Sequence, residues 1–396
     1  MATKFGTAIV KGKDSFELGR EAAKKAMLKA GTKKVDLSIV FASSKYDYQA
    51  VVNGVREVTD NALLIGCSTA GEFTDERTDK ESIACAVISS DTYKFFPGMG
   101  RGLKENEVNA LKEAGNRFPS NVEGHPYLSA ILLIDGLAGK GEESVLAALS
   151  TLGPNVKFSG GSAADDLKFK ETAVFVNNEV SSDAVSLTLV ASRIPVAIGV
   201  KHGHFPISPP LKITRAEGNI VYEIEGKPAF EVWKEYARQN AKSIGIDVDR
   251  MSEAEAIQTF FTRYEAGLLT GTEYKIRWLG GTTSTQGPIT FPCAMSEGMV
   301  IRVMESPKEA QIASARRAAE IALEACKGTK LAGAIVFDCV CRAVILGEDF
   351  SKAVNEIKNV LKVPLIGFET YGEIAMEIGQ LSGFHNTTTV VLLLPV

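Results

Sequence analysis

One pattern occurs three times along the 396-residue chain and restricts its fold more than any other feature. In each copy an apolar run, a helix-like stretch and a second apolar run lead into a glycine that is followed six residues later by an acid. The segments that begin with this glycine are Gly66–Glu72, Gly160–Asp166 and Gly367–Glu373. A strand–helix–strand passage with so short a connection is most simply a right-handed parallel crossover. The sequence therefore predicts a repeated βαβ unit.

The repeat and the chain length together predict the fold class and the domains. We expect an α/β fold of two domains, built from repeated βαβ units with mixed sheets flanked by helices, since roughly 100–200 residues make one domain. The domain over 1–204 holds the first two copies, and the domain over 211–396 holds the third. The boundary is placed at the proline-rich stretch 204–210, because proline stiffens connections. Further along, the patterns predict a hairpin over 211–226 and a helix over 251–261.

Composition excludes several classes of protein. The 44 basic and 48 acidic side chains leave a net charge of −4, without the basic excess of a nucleic-acid-binding domain. No apolar stretch approaches the ~20 residues that a membrane-spanning helix needs. Residues 1–12 lack the apolar core of an export signal, so we expect a cytoplasmic protein. The six scattered cysteines form no Cys-x-x-Cys pair, so neither a disulfide framework nor a zinc site is predicted.

The glycine-led segments are the candidate ligand site. Glycine lets a backbone approach a ligand closely, and open α/β sheets bind ligands in loops at the carboxyl ends of parallel strands. Hydroxyls in these segments could orient a ligand, and the glutamates could hold an ammonium group. The residues expected to bind are Gly66, Cys67, Ser68, Thr69, Glu72, Thr370, Tyr371 and Glu373. In the alternative interpretation the glycines only turn the chain and each acid caps a neighbouring element.

Arg342 and Cys339 extend this candidate site. Arg342 follows an apolar strand, and its guanidinium could hold a ligand carboxylate in a bidentate contact. An internal ion pair of Arg342 with Glu348 or Glu373 is the alternative. Cys339 and Cys341 would share one face of a strand, but a nucleophilic or redox thiol needs an activating histidine or a cationic setting. We therefore include Cys339 as a ligand-binding residue and predict no catalytic residue.

Two further motifs could in principle bind a metal ion or a phosphate group. His202 and His204 would lie on one side of an extended segment, but a closed metal site needs about four ligands and no others are evident. A solvated strand end is expected there instead. The segment 136–141 lacks the spacing of a phosphate-binding loop, with Glu142 where the hydroxyl residue belongs. We predict neither a metal nor another cofactor.

Several segments together resemble the FIST family, in the order of its N-terminal and C-terminal parts. They are 66–72, 159–166, 214–222, 226–229, 337–342, 346–348 and 367–374, within a resemblance that spans about residues 35 to 394. The resemblance implies an intracellular sensory module of signalling proteins, with small molecules, amino acids in particular, as ligands, and no enzymatic activity as its hallmark. Cys341 departs from the small residue that usually precedes the family's arginine.

The resemblance and the candidate site predict a cytoplasmic sensor that binds an amino acid or a similar metabolite. Family members often carry an output module for which this chain has no room, so a separate signalling partner is expected, and the chain could form a homo-oligomer. Two other hypotheses stay open at this point. One is a hydrolase or transferase that uses Cys67 or Cys339 with a distant histidine, and the other is a non-catalytic scaffold.

Overall fold

A computed structural model describes residues 3–252, 255–271, 273–282 and 287–396 of the chain. Its strands, in chain order, are β1 (Lys4–Val10), β2 (Leu37–Ser43), β3 (Leu63–Thr69), β4 (Glu72–Thr74), β5 (Thr78–Asp79), β6 (Ile83–Ser89), β7 (Tyr93–Arg101), β8 (Tyr127–Ile134), β9 (Lys157–Ser162), β10 (Val174–Val176), β11 (Glu179–Ser181), β12 (Ala184–Ser192), β13 (Ala197–His202), β14 (Phe205–Pro206), β15 (Leu211–Glu217), β16 (Ile220–Ile224), β17 (Lys227–Pro228), β18 (Tyr264–Thr270), β19 (Glu273–Arg277), β20 (Gly281–Thr282), β21 (Ile289–Thr290), β22 (Val300–Glu305), β23 (Leu331–Cys339), β24 (Leu365–Thr370), β25 (Glu373–Met376), β26 (Phe384–His385) and β27 (Thr388–Pro395).

The helices, in chain order, are α1 (Ser15–Ala30), α2 (Tyr48–Val58), α3 (Glu107–Gly115), α4 (Gly141–Leu152), α5 (Ala229–Ser243), α6 (Lys308–Ala325), α7 (Val340–Leu346) and α8 (Phe350–Leu361). Shorter helical turns occur at Ala256–Phe260, Phe261–Arg263 and Gly347–Asp349. No helix among the described residues is both long and apolar enough to cross a membrane.

Three stretches of the chain follow the same element order, and we call them units 1, 2 and 3. Each begins with a strand, a helix and a second strand. One or two helices then lead to a third strand, which is parallel to the second. A hairpin and a final strand antiparallel to the second strand complete the unit. Unit 1 covers 4–89, unit 2 covers 93–192, and unit 3 covers 197–202 and 308–395. The parallel pairs are β2–β3, β8–β9 and β23–β24. Mixed sheets flanked by helices confirm the predicted α/β fold class.

The short hairpin of each unit pairs with the sheet of another unit. Hairpin β4–β5 of unit 1 adds to β24 of unit 3, β10–β11 of unit 2 adds to β3 of unit 1, and β25–β26 of unit 3 adds to β9 of unit 2. The result is three six-stranded sheets with one strand order. Because the exchange is cyclic, no unit completes its sheet alone.

The inner faces of these three sheets share one apolar core, and helices cover their outer faces. Successive side chains of a strand point to opposite faces, so Phe41 of β2 lies in the shared core while Val40 and Ala42 pack beneath α1 and α2. Strand β8 alternates in the same way, with Leu133 inside and Leu132 beneath α3 and α4. Burial on both faces explains why these strands are almost continuously apolar.

Glycines in the first strands allow the helices to approach closely. A Cβ at Gly100 of β7 would lie 1.8 Å from the carbonyl oxygen of Ala110 in α3, and one at Gly199 of β13 would lie 1.9 Å from that of Ala318 in α6. Gly6 of β1 is packed in the same way against α1. Some of the chain's 36 glycines therefore serve strand–helix packing.

Residues 205–305 form a region inserted into unit 3, with its own antiparallel sheet and its own core. The core contains Trp233 and Phe260, and the predicted hairpin over 211–226 is present as β15–β16. For the predicted helix over 251–261, residues 253–254 lie outside the described residues. The rest of that segment forms a π-helical turn at Ala256–Phe260, with the expected capping contacts between Ser252 and Glu255 before it.

The prediction that glycine-led loops follow the third strands is wrong in part. Gly66, Gly160 and Gly367 lie inside β3, β9 and β24 rather than after them. The hairpin supplied by another unit pairs with the end of each strand and extends it. A partner that arrives from another unit leaves no signal in the local sequence pattern, so the strands appeared shorter than they are.

Candidate functional site

The structure brings the three predicted segments together, because the ends of β3, β9 and β24 meet in a ring of backbone hydrogen bonds. Ala164 donates its N–H to Ser68 at 2.9 Å, Tyr371 donates to Ser162 at 3.2 Å, and Ala70 donates to Glu369 at 3.2 Å. Ala70, Ala164 and Tyr371 occupy equivalent positions in the three units and pack in one small apolar cluster. The three segments therefore meet, and side chains pack together where they meet.

Glu72 and Glu373 are buried and use their carboxylates within the protein. Glu72 accepts a hydrogen bond from the hydroxyl of Thr69. It also accepts two from Ser82, one from the N–H at 3.1 Å and one from the hydroxyl at 2.5 Å. The hydroxyl of Thr370 and the N–H of Thr388, at 3.1 Å, donate to Glu373. The two sets are equivalent, and each ties an exchanged hairpin to the strand that follows it.

Unit 2 replaces this polar set by apolar residues as a group. Ala163, Val174 and Ala184 stand at the positions of Thr69, Glu72 and Ser82 in the strand registers of unit 1. The third predicted acid, Asp166, is therefore not equivalent to Glu72. It accepts hydrogen bonds from the hydroxyl of Ser43 and the N–H of Ser44, both at 2.8 Å. Asp166 has the same six-residue spacing from its glycine as Glu72 has, but the connection between the third strand and the hairpin is longer in unit 2, so Val174 is the residue equivalent to Glu72.

Burial should make the Glu72 carboxyl a source of pH-dependent stability. Burial raises the pKa of Glu72 to about 8, so the folded state binds this proton more tightly than the unfolded chain. We expect the group's contribution to be complete below its ordinary pKa and to be lost as pH rises to about 8, at up to ~1.4 kcal/mol per pH unit. Urea unfolding at several pH values would measure this slope. Glu72→Gln should reduce it, and an unchanged slope in that variant would contradict the assignment.

The other predicted residues of the first and third segments are also held by internal contacts. The hydroxyl oxygen of Ser68 accepts the N–H of Ala173 at 2.9 Å. Cys67 is buried in the shared core, and burial raises the pKa of its thiol well above the ordinary value. The Tyr371 hydroxyl donates to Asp165 at 2.6 Å, and its ring stacks on Phe169 with centroids 5.0 Å apart. Of these side chains only that of Tyr371 is partly exposed.

Arg342 is fully buried, and its ion-pair partner is neither Glu348 nor Glu373. Its Nε donates to Asp338 at 2.7 Å. Its terminal nitrogens donate to the hydroxyl of Ser314 at 2.8 Å and to the backbone carbonyl and side chain of Gln311, the carbonyl at 3.0 Å. These contacts anchor α7 to α6 and leave no guanidinium edge facing solvent.

The expectation that Cys339 and Cys341 share a strand face is wrong. Strand β23 ends at Cys339, and α7 begins at Val340, so Cys341 belongs to a helix. Burial raises the pKa of Cys339 well above its ordinary value, while Cys341 is partly exposed. Asp338 of β23 and Arg342 of α7, four residues apart, pair across the junction between the strand and the helix.

The two neighbouring histidines are enclosed rather than solvated as expected. Nε2 of the buried His204 lies 2.9 Å from Oε2 of Glu265, and His202 is partly buried. Burial lowers the pKa of both imidazoles to about 3, so both are neutral near pH 7. Within the described part of the chain, no three His, Cys, Asp or Glu side chains are grouped to hold a metal ion.

A cavity with polar and apolar lining lies between the inserted region and unit 3. Its volume is about 360 Å³, inside the ~300–1,000 Å³ range of small-molecule sites. The β18–β19 hairpin forms one wall, and β13, β25 and β26 form the other. Its polar lining includes Lys201, His202, Glu273, Tyr274, Lys275 and His385. None of the ten predicted site residues lines it, although Glu373 begins β25 and accepts a hydrogen bond from the lining residue Thr388.

Charges of both signs line this cavity. Lys201 pairs with Glu273 at 3.0 Å, whereas the Lys275 ammonium contacts the carbonyl and hydroxyl of Ser382, at 2.5 and 2.7 Å. No carboxylate of the described residues lies within ion-pair distance of Lys275, and burial lowers its pKa to about 8. His385 donates from Nε2 to the carbonyl of Ala375 at 3.1 Å, which leaves Nδ1 of the neutral ring as an acceptor.

Sequence reasoning missed most of this cavity. The available signal was β19, where Glu-Tyr-Lys-Ile-Arg is an unusually ionisable sequence for a strand. Its opposite wall comes from β25 and β26, about 100 residues further along the chain. No spacing rule connects two such distant segments.

Comparison with known proteins agrees with the resemblance seen in the sequence. Over 239 residues the chain is 26% identical to the uncharacterized protein MJ1623 of Methanocaldococcus jannaschii, a match that covers 58% of this chain and 45% of that protein. The chain thus spans less than half the length of this relative. Among solved structures, the crystal structure of cyanuric acid hydrolase from A. caulinodans matches 48% of this chain and 72% of its own at 11% identity, with a TM-score of 0.27. A similarity at that level carries no argument about chemistry.

Family membership rests on two adjoining matches. Residues 36–227 match the FIST N domain, and residues 229–376 match the FIST C domain. Together they cover most of the chain in the expected order, which confirms the resemblance. The chain therefore belongs to the FIST family, whose domains are sensory modules of signal transduction.

Proposed function

We propose that this sensory protein binds a small zwitterionic metabolite, such as an amino acid, in the cavity between the inserted region and unit 3. The observation that carries the proposal is the Lys275 ammonium, which lines the cavity without a carboxylate partner among the described residues. Lys275 is partly buried, and a cation in such a position is stabilised by an anion that hydrogen-bonds to it. A ligand carboxylate would supply that anion.

The remaining lining suits the other end of such a ligand. Glu273 and Glu377 are acceptors for an ammonium group, and Nδ1 of His385 offers a further, neutral acceptor. Glu273 already pairs with Lys201, and Glu377 pairs with Lys157 at 2.9 Å. Both acids are therefore held in place before a ligand arrives, which reduces the entropy lost on binding.

In this proposal the buried residues predicted from the sequence stabilise the framework around the cavity and do not contact the ligand. Glu373 holds the backbone of Thr388, and Arg342 fixes α7 against α6, so both act on the framework rather than on the ligand. Binding across two walls that belong to different parts of the fold would shift their relative position, and a separate signalling partner would detect the change.

A ligand screen tests the proposal. We expect one class among the standard amino acids to raise the melting temperature of the full chain. Lys275→Met should weaken binding of that compound about 10- to 100-fold by calorimetry, because a hydrogen bond to a charged group contributes about 1.5–3 kcal/mol. The matching amine without a carboxylate should bind the original protein as weakly as the amino acid binds the variant.

The matched control is Lys227→Met. Lys227 also lies in the inserted region, but its ammonium pairs with Glu235 on the surface and does not line the cavity. This control should bind like the original protein. Full binding by Lys275→Met, or a screen in which no amino acid changes the melting temperature, would contradict the proposed site.

The cysteine-dependent alternative makes a separate prediction about reactivity. Burial raises the pKa of Cys67 and Cys339, so their reactive thiolates are disfavoured. We expect iodoacetamide at neutral pH to modify the partly exposed Cys341 before either of them, as read by mass spectrometry of timed digests. Modification of the other two should appear on unfolding. Rapid labelling of Cys67 or Cys339 in the folded protein would instead favour covalent chemistry.

A further inference from the structure

We propose that Cys339 and Cys341 form a reversible disulfide when the protein meets hydrogen peroxide, so that this pair is a redox-sensitive modification site. The two residues stand on either side of Val340, where β23 ends and α7 begins. All six cysteines of the chain are free thiols in the structure. The pair lies outside the lining of the cavity between the inserted region and unit 3, so the proposal does not depend on a ligand there.

The change from strand to helix gives the two cysteines a suitable separation. Along a strand, Cα atoms two residues apart are separated by about 6.6 Å, which is near the upper limit for a disulfide. In helical backbone the same two atoms are about 5.4 Å apart, well inside the range that disulfides span. Val340, between the cysteines, is the first residue of α7, and its helical backbone sets the shorter separation.

The two thiols already contact each other, and they differ in accessibility. The Cys339 thiol interacts with both the thiol and the backbone N–H of Cys341. Cys339 is buried, whereas Cys341 is partly exposed. Burial and the contact with Cys341 raise the pKa of Cys339 well above its ordinary value. Because oxidation follows thiolate character and exposure, Cys341 is the thiol that meets the oxidant and Cys339 is the one that completes the disulfide.

The reaction takes two steps. The Cys341 thiolate attacks one oxygen of hydrogen peroxide, an S–O bond forms as the O–O bond breaks, and hydroxide leaves a sulfenic acid behind. The sulfur of Cys339 then attacks the sulfur of Cys341, the S–S bond forms, and the S–O bond breaks to release a second hydroxide. The two thiol protons convert both hydroxides to water. Two thiols are thus oxidised to one disulfide while one peroxide is reduced to two water molecules.

Metal binding is the competing use of two neighbouring thiols. A closed site for a metal such as zinc needs about four ligands. Among the residues that the structure describes, no third His, Cys, Asp or Glu side chain is grouped with this pair. The arrangement therefore favours a bond between the two sulfurs over a shared metal ion.

Oxidation at this place would be felt where the three units meet. Cys341 packs against the small apolar cluster that contains Ala70, Ala164 and Val340. A bond to Cys339 would redirect the Cys341 sulfur and change this contact. A sensory protein could in this way couple its oxidation state to the junction of its units.

Peroxide treatment of the full chain tests the proposal. Trypsin cleaves after Lys330 and Arg342, so a single peptide, 331–342, contains both cysteines. After peroxide and blocking of the remaining thiols, we expect mass spectrometry to show that this peptide has lost two hydrogen atoms, and dithiothreitol to restore both thiols. In Cys339→Ser, Cys341 lacks its partner and should proceed to sulfinic acid, which dithiothreitol does not reverse. In Cys341→Ala, the buried Cys339 should stay unoxidised under the same treatment.

Cys293→Ala is the matched control, because Cys293 is also partly exposed but lies in the inserted region. This variant should form the disulfide like the original protein. The proposal is overturned if Cys341 of the original protein becomes sulfinic acid without a disulfide, if it bonds to another cysteine or to a second copy of the chain, or if neither thiol reacts. Oxidation of Cys339 in Cys341→Ala would overturn the assigned order of the two thiols. That variant changes a partly exposed position, so it keeps the test decisive if Cys339→Ser does not fold.

Discussion

Replacing Arg342 by methionine should destabilise the protein by about 3–5 kcal/mol, because it leaves a buried carboxylate without its cation. Asp338 is fully buried, and Nε of Arg342 is its cationic partner at 2.7 Å. The Thr389 hydroxyl, 2.8 Å from Oδ2 of Asp338, does not replace the missing charge. The midpoint of urea unfolding measures the loss. A ligand-binding arginine would behave differently, since its removal would reduce binding and leave the folded protein about as stable as before.

Two controls distinguish the destabilisation caused by an unpaired buried charge from the effect of removing any arginine. Arg316→Met removes an exposed ion pair with Glu320 on the same helix that Arg342 contacts, and should cost no more than about 1 kcal/mol. The double variant Asp338→Asn with Arg342→Met should be more stable than Arg342→Met alone, because the unpaired charge is gone. If the double variant is no more stable than the single one, the cost comes from packing and not from charge.

Replacing Gly66 by alanine should destabilise the protein by about 1–3 kcal/mol. The new Cβ would lie 2.0 Å from the carbonyl oxygen of Val40 on the adjacent strand, so the backbone of β2 or β3 must shift. We expect a lower urea midpoint for this variant. Gly66 was predicted to let a ligand approach the backbone, and the structure fills that space with a neighbouring strand.

Gly280→Ala is the matched control for this change. The nearest heavy atom to a Cβ at Gly280 is a ring carbon of Trp278 at 3.6 Å, an ordinary contact. Its stability should change by no more than about 0.5 kcal/mol. A Gly66→Ala variant that unfolds like the original protein but no longer binds its ligand would restore the interpretation of Gly66 as a binding residue.

Much of the fold could be predicted because local patterns specify local elements. Helices α1 and α2 have the bounds that their apolar spacing and the glycine after Ala30 indicate. The parallel β2–β3, β8–β9 and β23–β24 pairs follow from short strand–helix–strand passages. Family membership followed from motifs within these segments and within the β15–β16 hairpin.

The candidate site was harder to predict because residue type does not reveal burial. Thr69 and Glu72 are polar residues of types that often bind ligands. In the structure, however, their side chains contact each other, and Glu72 also contacts Ser82. The Arg342 guanidinium could bind a ligand carboxylate, but it forms an ion pair with the carboxylate of Asp338 within the protein. Conversely, Lys275 belongs to no motif and lines the cavity between the inserted region and unit 3.

The sequence by itself determined the repeated strand–helix–strand units, the α/β class and the family. These properties depend on periodicity and on contacts between residues close in the chain. The tertiary structure alone decided that hairpins are exchanged among the three units, which buries Glu72 and Glu373 at the junctions. It also decided that Lys275 faces β25 and β26 across a cavity. Both follow from pairing between segments far apart in the chain, whose free energy comes from burial and backbone hydrogen bonds rather than from any local pattern.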